Sequence, residues 1–337
     1  MTFAVSSLLV GWLLWQGSSD GRRRRGRCTV QQSPSSSLES EESSSSAVFH
    51  PPLSSCSICV LQPSGDNPHL SSVSQRLSQE LALPTFTLPE LEQQSSLLLP
   101  LPYAYALVVH PLDEDYAIGI QALQAKGKKR QRLELQGTPW YVDYYWTNQH
   151  RRGDDLLRQA VGNVQQKRVV DLTAGWGQDA WLLAQAGAAH VTLVERNPVV
   201  ATLLNDALRR AADAAVQMSV RVGDGVDVAQ DIMRHEQTTV DLVYLDPMFP
   251  VRKKSAAVKK NMQILHALLG SQEIVNNEQA RLAQEAVLLQ RALDLARQRV
   301  VVKRPIHAPS LGGDNTPSYQ VRGSINRWDV YIKNAVE

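Results

Sequence analysis

The sequence has few cysteines and little net charge, and each shortage argues against a class of site. Three cysteines occur among 337 residues. Cys56 and Cys59 form one C-x-x-C, but zinc needs a second pair of ligands, and none follows at a suitable spacing. We therefore expect no metal site and place Cys59 in the core, in a first strand. A net charge of +2 gives no global basic field, so contacts to nucleic acid must come from local clusters.

The chain also lacks a long apolar run. Residues 3–15 are apolar, but a helix needs about 20 residues to cross a bilayer, and no positive charge precedes them as in a secretory signal. Residues 17–55 combine an arginine run, serines and acids, a composition too poor in apolar groups to order itself. We expect residues 1–55 to be a disordered leader, either an unusual targeting peptide or an extension without function, and the protein to be cytoplasmic.

After this leader, the element pattern changes near residue 150. Residues 56–150 predict a small α+β subdomain, whereas strands and helices alternate over residues 151–337. The second pattern predicts an α/β, Rossmann-like, doubly wound and mostly parallel sheet. The predicted strands are 58–61, 105–110, 116–120, 132–135, 141–145, 168–170, 190–195, 218–222 and 300–302, with 319–322 and 328–332 as an antiparallel pair; the longest predicted helices are 198–212 and 277–297.

A glycine-bearing turn follows the strand at 168–170. Gly175 and Gly177 supply only two of the three glycines of a dinucleotide fingerprint, so the pyrophosphate cradle is incomplete. This favours S-adenosylmethionine (SAM), which has no pyrophosphate. Glu195 ends the next strand, where a carboxylate can accept both ribose hydroxyls, and Asp224 follows a third strand at the expected place of the adenine edge.

The turn Asp246-Pro247-Met248-Phe249 ends another apolar strand. An exocyclic base amine is a poor nucleophile because its lone pair is delocalised into the ring. A carboxylate and a backbone carbonyl at a rigid proline turn can accept its two N–H hydrogens, while Phe249 stacks on the base. We therefore predict Asp246, Pro247 and Phe249 as the catalytic residues of a methyltransferase.

These motifs, with the segments 194–200, 254–260 and 299–305, closely resemble the bacterial 16S ribosomal RNA guanine-N2 methyltransferase family of type J, over about residues 56–333. The resemblance implies a class I SAM-dependent fold and methylation of a guanosine N2 near the 3′ end of small-subunit rRNA, as naked RNA or in the 30S particle. Carried over by motif, it also implies cofactor contacts at Gln178, Asp179, Glu195, Arg196, Asp224, Gly225 and Asp246. With Asp171, Gly175 and Gly177 at the glycine turn, these are the predicted cofactor-binding residues.

This chain departs from the family pattern at three places. Gln178 stands where the family commonly has arginine, and Asp224-Gly225 where it has a pair of serines. The segment after Arg151 and Arg152 lacks the family's glycine-rich basic stretch. We expect cofactor binding to be kept, because Asp-Gly is the commoner acidic pattern of other SAM enzymes.

Basic residues cluster beside the candidate catalytic turn, where RNA phosphates would flank an inserted base. Two rival functions stay open. One is SAM-dependent methylation of another amino group, such as adenine N6 in RNA or DNA or a glutamine side chain. The other is an RNA-binding relative with weakened catalysis. The predicted RNA-binding residues are Arg151, Arg152, Arg252, Lys253, Lys254, Lys259, Lys260, Lys303 and Arg304; no membrane partner is expected.

Overall fold

Two β-sheets with helices packed on them form the part of the chain that the structure, a computed structural model, describes. It describes residues 58–63, 65, 67–95, 103–113, 115–126, 132–144, 152–211, 217–236, 239–248, 260–269, 278–312 and 315–333. The predictions for the leader, for Cys56, for Phe249 and for the basic residues 151 and 252–259 lie outside these ranges, as does the side chain of Arg152. No helix among the described residues is long and apolar enough to cross a membrane.

The first sheet has five strands in the order β2-β1-β3-β4-β5. Its parallel half is β2, β1 and β3, and β4 and β5 add an antiparallel meander. Cys59 is fully buried, as predicted, and burial raises the pKa of its thiol to about 12. The elements are β1 (Ile58–Leu61), α1 (Pro68–Leu81), β2 (Thr85–Phe86), α2 (Leu88–Ser95), β3 (Tyr105–Leu112), β4 (Asp115–Lys126) and β5 (Arg132–Trp140).

One predicted strand of this region is wrong. Residues 141–144 belong to no strand, although their alternation suggested one at 141–145. Val142 and Tyr144 are buried because this connection crosses the core: the Tyr144 ring stacks on Trp181 at 4.7 Å between centroids. Alternating burial here comes from packing between the sheets, and not from strand pairing.

The second sheet has seven strands in the order β11-β12-β10-β9-β6-β7-β8. All neighbours are parallel except β12, which runs antiparallel to β10 and to β11. The predicted doubly wound, mostly parallel sheet is confirmed, including its antiparallel closing pair. The strands are β6 (Arg168–Asp171), β7 (His190–Glu195), β8 (Met218–Val222), β9 (Val240–Leu245), β10 (Ala296–Pro305), β11 (Tyr319–Arg322) and β12 (Asn326–Ile332).

Local sequence explains how the helices of this sheet begin and end. The Asn197 side chain accepts hydrogen bonds from the first turn of α5, and Pro198 fits the first helical position. The long helix α8 ends earlier than predicted because Ala296 already pairs with Val240 in the sheet. The helices are α3 (Arg152–Val161), α4 (Gln178–Gln185), α5 (Pro198–Ala211), α6 (Gly225–His235), α7 (Lys260–Leu269) and α8 (Glu278–Leu295).

A single hydrophobic cluster joins the first sheet to one face of the second, and another fills the opposite face under α6 and α8. Asp206 on α5, which is buried, bonds both Arg209 and Arg210. Arg209 continues to Asp115 and lies over the Tyr116 ring on β4. These ion pairs of Asp206, Arg209, Arg210 and Asp115, which we call the clamp on α5, therefore tie the two sheets together. The division of the chain into two regions at residue 150 stays a prediction.

Candidate active site

The parallel strands of the second sheet end at one edge, where the predicted site residues meet. Asp171 ends β6 opposite Tyr244 of β9, and Leu245 pairs with Val302 of β10. Asp246 and Lys303 are the next residues on β9 and β10, so adjacent strand ends deliver both. Ligands of open α/β sheets bind at this carboxyl edge.

The turn between β6 and α4 needs its glycines for different reasons. Gly177 has φ +66, and a Cβ there would lie 2.5 Å from the Tyr144 hydroxyl and 2.7 Å from a Leu193 methyl. Gly175 has φ +51, but the nearest atom to its Cβ position is a Leu265 methyl at 3.6 Å. Gly177 is therefore fixed by packing and Gly175 by backbone conformation, which lets another molecule approach the turn closely.

Glu195 connects this turn to the loop after β7. Its Oε2 accepts the N–H of Gly175 at 3.0 Å, and its Oε1 accepts the N–H of Asn197 at 2.8 Å. The residue is 5% exposed, and burial raises the pKa of its carboxyl, while these backbone hydrogen bonds oppose the rise. Each carboxylate oxygen can accept more than one hydrogen bond, so ribose hydroxyls remain possible partners.

The other predicted cofactor residues occupy distinct positions around this edge. Asp224 is exposed and caps α6 by accepting the N–H of Val226 at 2.8 Å. Gly225 is buried, and a Cβ there would lie 2.7 Å from the Leu172 carbonyl oxygen, so the close packing requires glycine. Gln178 and Arg196 are exposed, the former at the first position of α4.

Asp171 is a buried acid beside two further carboxylates. It accepts the backbone N–H of Thr173 at 3.0 Å. Burial, together with the nearby charges of Asp179 and Asp246, raises its pKa to about 8, while the Thr173 N–H and Lys303 oppose the rise. The strand end therefore concentrates acidic groups, which suits a positively charged ligand.

Lys303 makes the central ion pairs of the site. Its Nζ lies 2.8 Å from Asp179 Oδ2 and 2.9 Å from Asp246 Oδ2. The buried Tyr244 hydroxyl donates to the same oxygen of Asp179 at 2.7 Å. The two carboxylates raise the pKa of Lys303, so it remains an ammonium. Sequence reasoning placed Lys303 at the site edge as an RNA contact, but its partners are the two acids.

The candidate catalytic turn is anchored at its first residue. The Asp246 N–H donates to Thr173 Oγ1 at 2.6 Å, which joins the ends of β9 and β6. The Asp246 side chain is 42% exposed, so part of the carboxylate faces solvent. Pro247 and Met248 are half-buried, with Met248 packed on the core.

Helix α7 packs on the glycine turn and the loop after β7. The Trp176 indole Nε1 donates to the Asn261 carbonyl at 3.1 Å, and Asn197 Nδ2 donates to the Leu268 carbonyl at 2.8 Å. Trp176 is buried against Trp140, with ring centroids 4.4 Å apart. The sequence motif contained Trp176 and Asn197, but nothing in it showed that α7 would cover them.

Lys260 and Arg304, two other predicted RNA-binding residues, differ in their exposure. Lys260 is exposed and lines a groove of about 410 Å³ with the β4–β5 hairpin, including Gly137. Arg304 is buried instead: its guanidinium pairs with Glu285 at 3.3 Å and donates to the Pro309 carbonyl at 3.1 Å. Arg304 therefore supports the loop after β10, and its geometry does not suit a phosphate contact.

The donor set fits SAM. The glycine turn leaves room for a ligand at Gly175. The carboxylates can accept hydrogen bonds from ribose hydroxyls and attract a sulfonium cation. Neither the glycine turn nor Glu195 offers a basic side chain that could bind a pyrophosphate. The arrangement is that of a class I SAM-dependent methyltransferase.

Comparisons with known proteins agree with this class. Residues 107–333 match the family described as "Putative SAM-dependent methyltransferase". Ribosomal RNA small subunit methyltransferase J of Shewanella pealeana is 43% identical over 194 residues, 55% of this chain and 72% of that protein. The protein of that name from Neisseria meningitidis serogroup C is 40% identical over 193 residues, covering 55% and 72%.

A solved SAM-dependent methyltransferase from Neisseria gonorrhoeae is similar over 83% of this chain and 97% of its own, with 25% identity and a TM-score of 0.55. The fold and site thus define a methyltransferase with SAM as its cofactor. The chain belongs to the family of ribosomal RNA small subunit methyltransferase J.

Proposed function

We propose that this chain methylates the exocyclic N2 amine of a guanosine near the 3′ end of small-subunit rRNA. The observation that carries the proposal is the half-exposed Asp246 carboxylate on a proline turn, held at its backbone by Thr173 and at Oδ2 by Lys303. The relatives named for small-subunit rRNA methylation support the substrate. A cytoplasmic location goes with this substrate.

The chain's part in the chemistry is to hold the amine. When bound, SAM supplies a methyl group activated by a sulfonium. Asp246 accepts one N–H of the amine and a backbone carbonyl of the turn at Pro247 accepts the other, which localises the nitrogen lone pair for attack. No strong base is needed, because the amine proton becomes acidic once the nitrogen carries the methyl group.

Cofactor contacts are proposed at the glycine turn and the three strand ends. Glu195 would accept ribose hydroxyls, Asp224 would accept from the adenine edge, and Asp179 and Asp246 would add negative charge near the sulfonium. Asp171 would act through the turn at Thr173, whose N–H it accepts. Gly175, Gly177, Gln178, Arg196 and Gly225 complete the proposed set. Lys260 stays a proposed RNA contact, since it is exposed beside the groove of the β4–β5 hairpin.

The test is Asp246→Asn, which keeps side-chain size but replaces an acceptor with a donor. Single-turnover transfer of labelled methyl to purified small-subunit particles and to naked rRNA, at saturating SAM, should slow about a hundredfold, or about 3 kcal/mol of transition-state stabilisation. Asp241→Asn is the matched control, because Asp241 lies at the opposite end of β9 and bonds Arg168 and Gln298.

The methylated product distinguishes this function from the two alternative functions. Nucleoside analysis of the parent's RNA should give N2-methylguanosine; N6-methyladenosine or a labelled protein would favour another amino-group substrate. SAM binding without transfer to any RNA would favour the RNA-binding relative. A variant rate within about threefold of the parent would show that Asp246 does not hold the amine.

A further inference from the structure

Lys303 reaches the candidate catalytic acid from inside the protein. Its side chain is 21% exposed, whereas that of Asp246 is 42% exposed. The ammonium is therefore on the less exposed side chain of the pair, and it is bonded to both Asp246 and Asp179. Little of it is left open to an RNA phosphate.

The lysine is itself held in place. Asp179 Oδ2 accepts from both Lys303 and the buried Tyr244 hydroxyl, so the chain of contacts runs from Tyr244 through Asp179 and Lys303 to Asp246. Within the described residues no donor is bonded to Asp246 Oδ1. Lys303 thus occupies Oδ2 and leaves Oδ1 to accept from a substrate.

The charges around Asp246 oppose its ionisation. Partial burial and the charge of Asp179 raise the pKa of the Asp246 carboxyl. Asp171 adds a third acid on β6, and the neighbouring Tyr244 brings no positive charge. Lys303 opposes this rise at contact distance, and Arg304 does so as a weaker influence. Removing the ammonium would let a proton settle on Asp246, and a protonated carboxyl is a poorer acceptor for the amine.

We propose that Lys303 is a positioning residue for the transfer reaction: it keeps the Asp246 carboxylate ionised and oriented so that Oδ1 accepts the substrate N–H. The inference rests on the proposed function for its substrate. The effect of Lys303 on the ionisation of Asp246 concerns only this chain and is measurable without RNA.

The first experiment is a pH series of single-turnover transfer by the parent, Lys303→Met and Lys303→Arg. Lys303→Met should lower the rate constant at neutral pH by about tenfold or more and shift the acidic limb of the profile up by about one pH unit or more, because the ion pair that favours the carboxylate is gone. Lys303→Arg, which keeps the charge, should recover most of the shift. KM for RNA should change less than about threefold.

The second experiment titrates 13C-labelled aspartate carboxyls by NMR in the protein without RNA. The pKa of Asp246 should be higher in Lys303→Met than in the parent. Lys167→Met is the matched control, since Lys167 bonds Gln298 at the opposite end of the sheet. Tyr244→Phe, which removes one of the two donors to Asp179, should move the pKa of Asp246 in the same direction by less, and it replaces Lys303→Met if that variant does not fold.

The outcomes separate the two proposals. A higher KM for RNA and a flatter salt dependence, with an unmoved pH profile, would make Lys303 a phosphate contact and overturn the positioning role. An unchanged pKa of Asp246 would also overturn it. If the parent transfers no methyl to RNA, the proposed function fails, while the titration still decides whether Lys303 controls Asp246.

Discussion

Glu195 shows how one side chain can serve both structure and binding. Its two oxygens hold the glycine turn and the loop before α5 through backbone N–H groups. Replacement by alanine would remove both anchors, so a loss of SAM binding in that variant could come from the loops. Glutamine keeps the side-chain size and one acceptor oxygen, so it retains one of the two backbone bonds that alanine would lose.

We predict that Glu195→Gln weakens SAM binding by about thirtyfold, or about 2 kcal/mol, because a neutral amide loses the charge-assisted bonds to the ribose hydroxyls. Calorimetric titration measures the dissociation constant. Glu80→Gln is the control, since Glu80 lies exposed on α1. A dissociation constant equal to the parent's would remove Glu195 from the cofactor site.

Sequence could locate the acids of the site but not their partners. Glu195 and Asp246 end recognisable apolar strands, and that position alone predicts the carboxyl edge. The pairing of Lys303 with Asp246 depends on the register of β10 against β9, with Val302 opposite Leu245. Register between strands more than fifty residues apart is a tertiary property, so Lys303 was assigned to RNA instead.

The turn between β6 and α4 is the element whose conformation matters most. Both glycines have positive φ, but of the two only Gly177 is packed tightly against three side chains, those of Tyr144, Leu193 and Leu204. The two positions therefore provide a matched pair within one turn.

Gly177→Ala should destabilise the protein by about 3 kcal/mol or more, because backbone strain adds to clashes with Tyr144 and Leu193. Gly175→Ala should cost only about 1 kcal/mol, since strain acts alone there. Urea denaturation of both variants gives the comparison. Equal losses would mean that packing around Gly177 relaxes freely.

The strands of the second sheet and the helices between them were predictable from the sequence, whereas the elements of residues 58–144 were less predictable. Apolar strands followed by glycine or acid mark β6, β7, β8 and β9 directly. The aromatic alternation at 141–145 imitated a strand, because burial by tertiary packing has the same pattern as burial by a sheet face. The helices α1 and α2 were not predicted. Helix α1 does carry an apolar stripe at helical spacing, at Leu70, Val73 and Leu77, but serines and other polar residues separate these three positions.

At the scale of the molecule, the clamp on α5 joins the two sheets. Asp206 is buried and bonds both Arg209 and Arg210, which reach β4 and the Val142 carbonyl respectively. Removing the acid leaves two guanidinium groups without their shared partner.

We expect Asp206→Asn to lower the free energy of unfolding by about 3 kcal/mol, the cost of breaking a buried ion pair on one side. Hydrogen exchange should speed up in β4 as the sheets loosen. The control is Asp294→Asn, whose exposed pair with Arg291 should contribute less than about 1 kcal/mol. Similar losses in the two variants would count against the clamp.

The antiparallel strand β12 lies inside the sheet, between β10 and β11. A chain that ends between residues 305 and 326 carries β10, with the apolar Val300, Val301 and Val302, but lacks its partner strand. Such a truncated chain has an open, strongly apolar edge of the kind that pairs with other chains. A ribosome stalled between β10 and β12 would therefore release a product inclined to aggregate, even though the glycine turn, Glu195 and Asp246 would all have been translated.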